Sequence, residues 1–472
     1  MATENTHFGA KEISKALNNC ESIFFIGIGG INMSSLAHIC KRRGMRVGGS
    51  DRARTALTDK LEKEGIAVYY GHSADNVSGY GAVVYTVAIS SDNPEYLYAG
   101  KMGLPCFSRA DFLGYIMTGY KRRIGISGMH GKSTCTSMCA QALIEGGAEP
   151  TVLSGAELPV MGGAYTLGRE ENFVFEACEY MDSFLDFNPN VAVVLNIEMD
   201  HVDYFKSMEQ IRRSYASFSD ITGKDGYTVY NADDSEVVKA LESYGGNRIT
   251  FGIDSRDAYY RAENISSCKG RYSFDAYEDD CFLCRVSLSV TGYHNVYNAL
   301  ACIAVCRLAG LDGDKIASGL SHFCGASRRM ELKGQISGAD VYDDYGHHPT
   351  EVRATLSGAR GLVEDGGRLI CVFQPHTYSR TSALLDDFAD ALTIADKIIV
   401  ADIYAARETD SLGVSSEILA SMIGEKATAV SGFDNIAEII NNHAQSKDAV
   451  VVMGAGDIYK VFDYLNFDGE QK

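Results

Sequence analysis

The stretch Ile124 to Cys139, IGISGMHGKSTCTSMC, decides the fold. It reads as a short apolar strand, a Gly-rich turn and a helix. The turn carries Gly128, Met129, His130, Gly131, Lys132 and Ser133, and Thr134 follows as the helix begins. A loop of this kind turns backbone N–H groups inward, and the helix behind it adds a partial positive charge. A triphosphate such as ATP is the natural guest. Lys132 would reach the outer phosphates, and the Ser133 hydroxyl would ligate Mg²⁺. Helical spacing of Cys135, Met138, Cys139, Ala142 and Leu143 supports the helix independently, and Gly146-Gly147 stops it. A strict Walker pattern has Gly at position 126, where this chain has Ile. The motif is therefore a variant P-loop. The plainer alternative, a Gly-rich strand-to-helix turn that happens to carry a lysine, does not account for GKST standing in the context the motif requires.

Composition bounds what surrounds this element. The 472 residues are too many for one ordinary core, so two to four domains are expected. A hydrophobic content of 46% with 22% charged residues is that of a globular chain. The net charge of −19 argues against a nucleic-acid partner. The basic runs are short, and Lys41-Arg42-Arg43 ends a helix, where cations suit the dipole. No apolar run approaches a membrane span, and MATENTHFGAKEISKAL is too polar for a signal peptide. A cytoplasmic protein with no membrane partner is expected. The thirteen cysteines are scattered and odd in number, which fits reduced thiols. Cys135/Cys139 and Cys302/Cys306 lie one helical turn apart, as small core residues would.

Ahead of the P-loop, Ser22 to Ile26 reads as a strand, Gly27-Ile28-Gly29-Gly30 as a turn, and Met33 to Arg43 as a helix. A second strand, Arg46 to Gly48, leads into Gly49-Ser50-Asp51. This is a Rossmann-like start, with Asp51 about where a ribose would be met. Asn32 replaces the third glycine of the fingerprint, so alone it says little. After the P-loop, the strand Phe173 to Phe175 ends in Glu176, an acid placed to hold the Mg²⁺ of bound ATP. Val191 to Leu195 runs into Asn196-Ile197-Glu198-Met199-Asp200-His201. Strand ends of this kind are where ligands bind in parallel sheets. His201 could be a second metal ligand, although a lone His is more often structural. Residues 265–290 alternate like antiparallel strands. Asn295 and Asn298, three apart at the start of a helix over Ala299 to Leu308, could read an adenine edge or cap the helix. Beyond Phe323 to Ser327 come Arg328-Arg329, then a strand at Val341-Tyr342 running into Asp343-Asp344-Tyr345-Gly346-His347-His348-Pro349. The strand Leu369 to Phe373 runs into Gln374-Pro375-His376-Thr377-Tyr378-Ser379-Arg380. Paired arginines at a domain junction can clamp phosphate or simply face solvent. The expected architecture is α/β with three tandem domains. A Rossmann-like one spans 1–120, a P-loop ATPase-like one with a mostly parallel sheet spans 121–324, and a second Rossmann-like one spans 325–472.

These blocks, in this order and spacing, resemble the Mur ligases over essentially the whole chain. The carriers are GMHGKST at Gly128, EACEYMDSFL at Glu176, NIEMDH at Asn196, HNVYN at His294, RR at Arg328, DDYGHHPTE at Asp343 and VFQPHTYSRT at Val372. The last two set apart, within the family, the branch that adds L-alanine to UDP-N-acetylmuramate. The resemblance implies that Gly27, Gly29, Gly30, Ser50 and Asp51 bind the UDP-sugar. It implies that the P-loop, with Asn295, Asn298, Arg329 and Asp344, binds ATP. Ser133, Glu176 and His201 would serve Mg²⁺ or Mn²⁺, and Tyr345, His347, His348, His376 and Arg380 would present the amino acid. Lys132, His201, Arg329, His347 and His348 would be the catalytic set, with one of the last two as the base, in a monomer or homodimer.

Some positions depart from the family pattern. Met129 and Ser133 stand where threonines are usual, Asn32 where a glycine is, and Thr377 where an arginine is. None removes a group the chemistry needs. Three rival readings remain in view. A sibling ligase would attach a whole murein tripeptide to the same sugar. A nicotinamide-dependent dehydrogenase would leave the P-loop idle. A non-catalytic regulator would bind UDP-sugar or ATP without producing ADP.

Overall fold

A computed structural model describes residues 6–201, 204–406 and 408–469. Three separate sheets account for its strands. The first contains β1 (Ser22–Ile26), β2 (Arg46–Asp51), β3 (Ala67–Tyr70), β4 (Ala82–Tyr85) and β5 (Cys106–Ser108), in the order β3-β2-β1-β4-β5 and parallel throughout. The chain direction across the sheet reverses at β1, which opens a crevice at its carboxyl end. The Gly27–Gly30 turn sits there. The strand read as ending at Gly48 continues to Asp51, so Ser50 and Asp51 belong to the sheet. Gly48 and Gly49 are required by crowding. A Cβ on Gly48 would stand 2.0 Å from the Tyr80 hydroxyl, and one on Gly49 would stand 2.4 Å from the Phe25 carbonyl.

The second sheet has ten strands. They are β6 (Arg122–Ser127), β7 (Thr151–Leu158), β8 (Gly163–Thr166), β9 (Asn172–Glu176), β10 (Val191–Val194), β11 (Tyr227–Asn231), β12 (Asn247–Gly252), β13 (Tyr260–Cys268), β14 (Arg271–Glu278) and β15 (Cys281–Thr291). The order is β15-β14-β13-β12-β11-β10-β6-β9-β7-β8, with a parallel centre and antiparallel β13-β14-β15 at one edge. Strand β6 lies between β10 and β9, so the P-loop emerges at mid-sheet beside Glu176 and Asn196. The P-loop helix, Lys132–Glu145, is buried along most of its length. It packs on helices His294–Leu308 and Gly313–His322. A Cβ at Gly319 would fall 2.5 Å from the Ala142 backbone, which fixes how closely the helices approach. Cys135, Cys139, Cys302 and Cys306 are all buried here as free thiols.

The third sheet holds β16 (Glu331–Ile336), β17 (Ala339–Asp344), β18 (Leu369–Phe373), β19 (Lys397–Ala401), β20 (Ala427–Val430) and β21 (Ala449–Met453). Its order is β16-β17-β21-β18-β19-β20, with only β16 antiparallel. Strands β17 and β18 aim Asp344 to His348 and Gln374 to Arg380 out of their carboxyl ends. Among the described residues no helix is long and apolar enough to cross a membrane.

Candidate active site

Two glycines shape the P-loop. Gly128 (φ +146°) and Gly131 (φ +83°) lie in the region that favours glycine. Space is short as well: a Cβ on Gly131 would meet the Asn298 side-chain oxygen at 2.7 Å, and one on Gly128 would meet Leu195 at 2.9 Å. Asn196 clamps the loop from the end of β10. Its side-chain oxygen accepts from the His130 N–H (2.9 Å), and its amide donates to the His130 carbonyl (3.0 Å).

Lys132 lies against two P-loop carbonyls, Gly128 at 2.5 Å and Met129 at 3.2 Å, and against the Glu179 carboxylate at 2.9 Å. Glu179 also accepts from His201 Nε2 at 3.2 Å and is fully buried. Burial pushes its carboxyl up, but Lys132 and His201 outweigh burial and hold it below the ordinary range. Sequence reading missed Glu179, although it lies three residues past Glu176 in the quoted block. Its burial and its approach to Lys132 come from the fold and leave no signal in the sequence. Glu176 does something different. It accepts from the Ser133 hydroxyl (3.0 Å) and the Ser154 hydroxyl (3.2 Å), and from the Gly155 N–H. The expected metal set therefore falls into two groups, Ser133 with Glu176 and His201 with Glu179. The first pair offers two hard oxygens, which suit Mg²⁺. The second offers a carboxylate oxygen and a softer imidazole nitrogen, a donor set that Mn²⁺ tolerates better. His201 is held at φ +50°, an uncommon conformation for a side-chain-bearing residue.

A cavity of about 370 Å³ opens beside the loop, lined in part by Thr134, Phe251, Asn295, Asn298, Arg329 and Asp344. The helix here begins at His294 with Tyr293 as its N-cap, so neither asparagine caps it. Asn295 donates to the Thr291 carbonyl (2.7 Å) and receives the Asn298 amide (2.9 Å), which leaves the Asn298 oxygen against Gly131. Asp344 is buried, and its carboxylate accepts from the Met330 N–H (3.0 Å), the Gly346 N–H (2.8 Å) and the Thr355 hydroxyl (3.2 Å). It pins its own turn. Arg329 lies 3.9 Å from Glu351 and over the Tyr345 ring, while Arg328 reaches Asp343 and the Gly454 carbonyl. The two arginines share the Tyr345 ring but differ in their carboxylate partners.

His130 joins the central and third units. Its ring lies between Glu198 (3.0 Å) and Glu351 (3.3 Å), with the His348 ring tilted against it at 4.8 Å, while Thr350 donates to Glu198 (2.6 Å). Burial alone would push the imidazole down, but the two carboxylates lift it to about 9. His347 shows the opposite outcome: burial holds it at about 4, a neutral ring. His348 caps the helix Pro349–Arg360 through Nδ1, and its buried Nε2 has no partner among the described residues. The rings of His347 and His376 lie 5.8 Å apart, and Arg380 donates to both His376 (3.2 Å) and Asp200 (3.1 Å). Asp200, next to His201, is held well below the ordinary carboxylate range. Burial opposes this, and Arg380 outweighs it. The Lys132, Glu179 and His201 cluster of the second sheet thus meets the third unit through Asp200, the residue before His201, which pairs with Arg380, while Glu176 and Arg329 line separate cavities.

The expected sugar-nucleotide residues stand together at the first sheet. The Asp51 carboxylate accepts from the Gly29 N–H at 2.8 Å, and a Cβ on Gly29 would strike that carboxylate. Gly27 takes φ +85° and Gly30 is the N-cap of the helix Ile31–Arg42. Ser50 donates to Glu95 (2.6 Å), which also receives His72 (2.7 Å). Sequence reading placed Glu95 at the opening of a helix and gave neither Glu95 nor His72 a role at the site. The buried Glu95 is visible in the sequence only as an acid in a helix's first turn, which dipole complementarity explains equally well.

Family models match three consecutive parts of the chain. They are the Mur ligase family catalytic domain at residues 22–121, the Mur ligase middle domain at 126–306, and the Mur ligase glutamate ligase domain at 328–456. A UDP-N-acetylmuramate–L-alanine ligase of Caldanaerobacter subterraneus is 43% identical over 448 residues, covering 94% of this chain and 97% of its own. The enzyme of that name from Acetivibrio thermocellus is 44% identical, covering 94% and 95%. Among solved structures, the UDP-N-acetylmuramate–alanine ligase MurC of Thermotoga maritima superposes with a TM-score of 0.76 at 28% identity, covering 94% and 98%. A murein peptide ligase of Psychrobacter arcticus gives 0.69 at 26% identity, covering 94% and 98%.

Proposed function

The chain belongs to the Mur ligase family of ATP-dependent ligases, and we propose that it joins L-alanine to the carboxylate of UDP-N-acetylmuramate, releasing ADP and phosphate. The observation that carries this reading is the 43–44% identity, over nearly the whole chain, to ligases of that name. We read the three units as residues 1–120, 121–324 and 325–472. The working unit is a monomer or homodimer in the cytoplasm.

A carboxylate resists an amine because it has no good leaving group. Attack of a carboxylate oxygen on the γ-phosphorus, with loss of the bond to ADP, gives an acyl phosphate. The neutral amine of L-alanine then attacks the carbonyl, and the tetrahedral oxyanion collapses with loss of phosphate. In this reading the P-loop N–H groups and Lys132 hold the outer phosphates, and Asn295 and Asn298 shape the adenine end. Ser133 with Glu176, and His201 with Glu179, are the groups that would hold divalent cations, whose charge offsets that of the crowded phosphates. Arg329 approaches the phosphates from the third unit. Tyr345, His347, His376 and Arg380 form the amino-acid seat. The attacking amine must lose a proton, and a neutral imidazole can take it: burial keeps His347 neutral in that seat, and His348 caps its helix through Nδ1 with its buried Nε2 unpartnered among the described residues, so either ring is a candidate base. Closure of the third unit on the second keeps water from the acyl phosphate.

The test is phosphate release from ATP with UDP-N-acetylmuramate, Mg²⁺ and each of L-alanine, glycine, L-serine and a murein tripeptide. Release that needs both the sugar nucleotide and L-alanine is expected. Release with the tripeptide alone would move the chain to the peptide-ligase branch. Binding of both nucleotides without release would defeat the catalytic reading.

A further inference from the structure

A second cavity, of about 140 Å³, lies where the first unit meets the central one. The first unit contributes Asn32, Arg109 and Leu113. The central unit contributes, among others, Leu153, Phe175 and Glu176. Arg109 is the residue that stands out. It opens the helix Arg109–Met117, where a cation opposes the helix dipole. Among the described residues its guanidinium makes no hydrogen bond or ion pair. Burial lowers its pKa, and no carboxylate counters that effect. A part-buried guanidinium with five donors and no acceptor is costly to keep unless a bound group supplies the acceptor. Glu176, in the same cavity, is already engaged by Ser133, Ser154 and Gly155 and makes no ion pair with Arg109.

The cavity thus holds a cation with no acceptor among the described residues, apolar side chains from Leu113, Leu153 and Phe175, and polar groups from Asn32, Ser154 and Ser183. Glu176 lines it too, and it accepts from the P-loop serine. That combination suits a carboxylate carried on a short aliphatic arm, directed toward the outer phosphate of ATP. Resting on the function proposed above, we propose that Arg109 binds the reacting carboxylate of the sugar nucleotide and aims it at the P-loop. The planar fork can hold both carboxylate oxygens, which fixes the carboxyl plane as well as its position. The diphosphate of the same ligand has its own seat at the Gly27–Gly30 turn, so the role assigned to Arg109 is confined to the carboxylate.

Two ligands separate this role from the alternatives. UDP-N-acetylmuramate carries the carboxylate, and UDP-N-acetylglucosamine has the same diphosphate without it. Calorimetric titration of the wild type, Arg109→Met and Arg109→Lys with each ligand, alongside thermal melts, gives the answer. We expect Arg109→Met to weaken UDP-N-acetylmuramate by roughly 10- to 100-fold while leaving UDP-N-acetylglucosamine within about twofold. Arg109→Lys should fall between, because it keeps the charge and loses the fork. Equal weakening of both ligands, or no change in either, would overturn the role; the first result would mark a diphosphate contact or a structural residue. If the wild type itself binds neither sugar nucleotide, the proposed function falls and this role falls with it.

Discussion

Replacing Glu179 by glutamine tests the electrostatics of the site most directly. The carboxylate is fully buried, 2.9 Å from Lys132 Nζ and 3.2 Å from His201 Nε2. At an effective dielectric of about 20, a unit pair at that separation interacts by roughly 6 kcal/mol, before desolvation is counted. Breaking a buried pair by removing one partner typically costs about 3–5 kcal/mol. Lys132 keeps the Gly128 and Met129 carbonyls, so the low end, about 3 kcal/mol, is the expected loss of stability. For a unit of this size that is a fall in melting temperature of roughly 6–12 °C. The effect on ligands runs the other way. ATP must draw Lys132 away from Glu179 and bring phosphates up to a buried carboxylate. Glu179→Gln should therefore bind ATP more tightly than wild type when Mg²⁺ is chelated, and gain less affinity when Mg²⁺ is restored. Turnover should fall by roughly 100-fold or more, as when one preorganised electrostatic contact is removed. Titration with ATP in EDTA and in Mg²⁺, with phosphate release alongside, measures all three. Wild-type turnover with an unchanged ratio of the two ATP affinities would refute the reasoning.

Lys132→Ala should raise the barrier by about 2.7–4 kcal/mol or more, read as loss of phosphate release at saturating substrates. His130 gives a pH signature. Its pKa is raised to about 9 by Glu198 and Glu351, so its stabilisation is full below the unfolded value near 6.5 and is lost as pH rises through about 9. The shift corresponds to about 3 kcal/mol, and melts at pH 6.5 and 9.5 should show a larger drop for wild type than for His130→Gln. Arg380→Met should raise the KM for L-alanine by tenfold or more with little change in the KM for ATP, measured by initial rates.

Much of the fold was legible because strands and turns announce themselves locally. SIFFI at Ser22 and the run that starts at Ile124 are apolar and closed by glycine, and each is a buried parallel strand. Strand β3, AVYY, was not read, because it is largely exposed at the sheet edge and has no apolar alternation. The helix at Arg109 was missed because its apolar residues surround it and leave no stripe to detect. Site residues divide in the same way. Lys132, Ser133 and Asn298 sit in motifs whose spacing implies a geometry. Glu179, Glu95 and Arg109 matter through what a different segment brings to them, and spacing along one chain does not encode that. The asparagine pair shows the limit from the other side. Its spacing was compatible with capping, and only the start of the helix at His294 rules capping out.

Cations that would meet anionic substrates are paired with carboxylates of the protein. Lys132 rests on Glu179, Arg380 on Asp200, and Arg329 near Glu351. The second pair crosses from the third unit to the central one, as does His130 with Glu351. Binding a phosphate or a carboxylate here is consequently an exchange of ion pairs, with no bare cation uncovered in advance. In a chain of net charge −19, each released carboxylate adds to a local excess of negative charge. Divalent cations are the natural answer to that excess, since Glu176 and Glu179 stand against the P-loop serine and lysine. Arg109 is the exception that gives the pattern its meaning. Among the described residues it alone of these cations has no carboxylate to leave, so its ligand displaces none of them. The carboxylate of the sugar nucleotide should then be gripped before the third unit rearranges. An experiment on order of addition follows: UDP-N-acetylmuramate should bind to the enzyme without ATP, with an affinity that depends on Arg109 and is unaffected by Arg380→Met. Dependence on Arg380 would mean that closure precedes the grip.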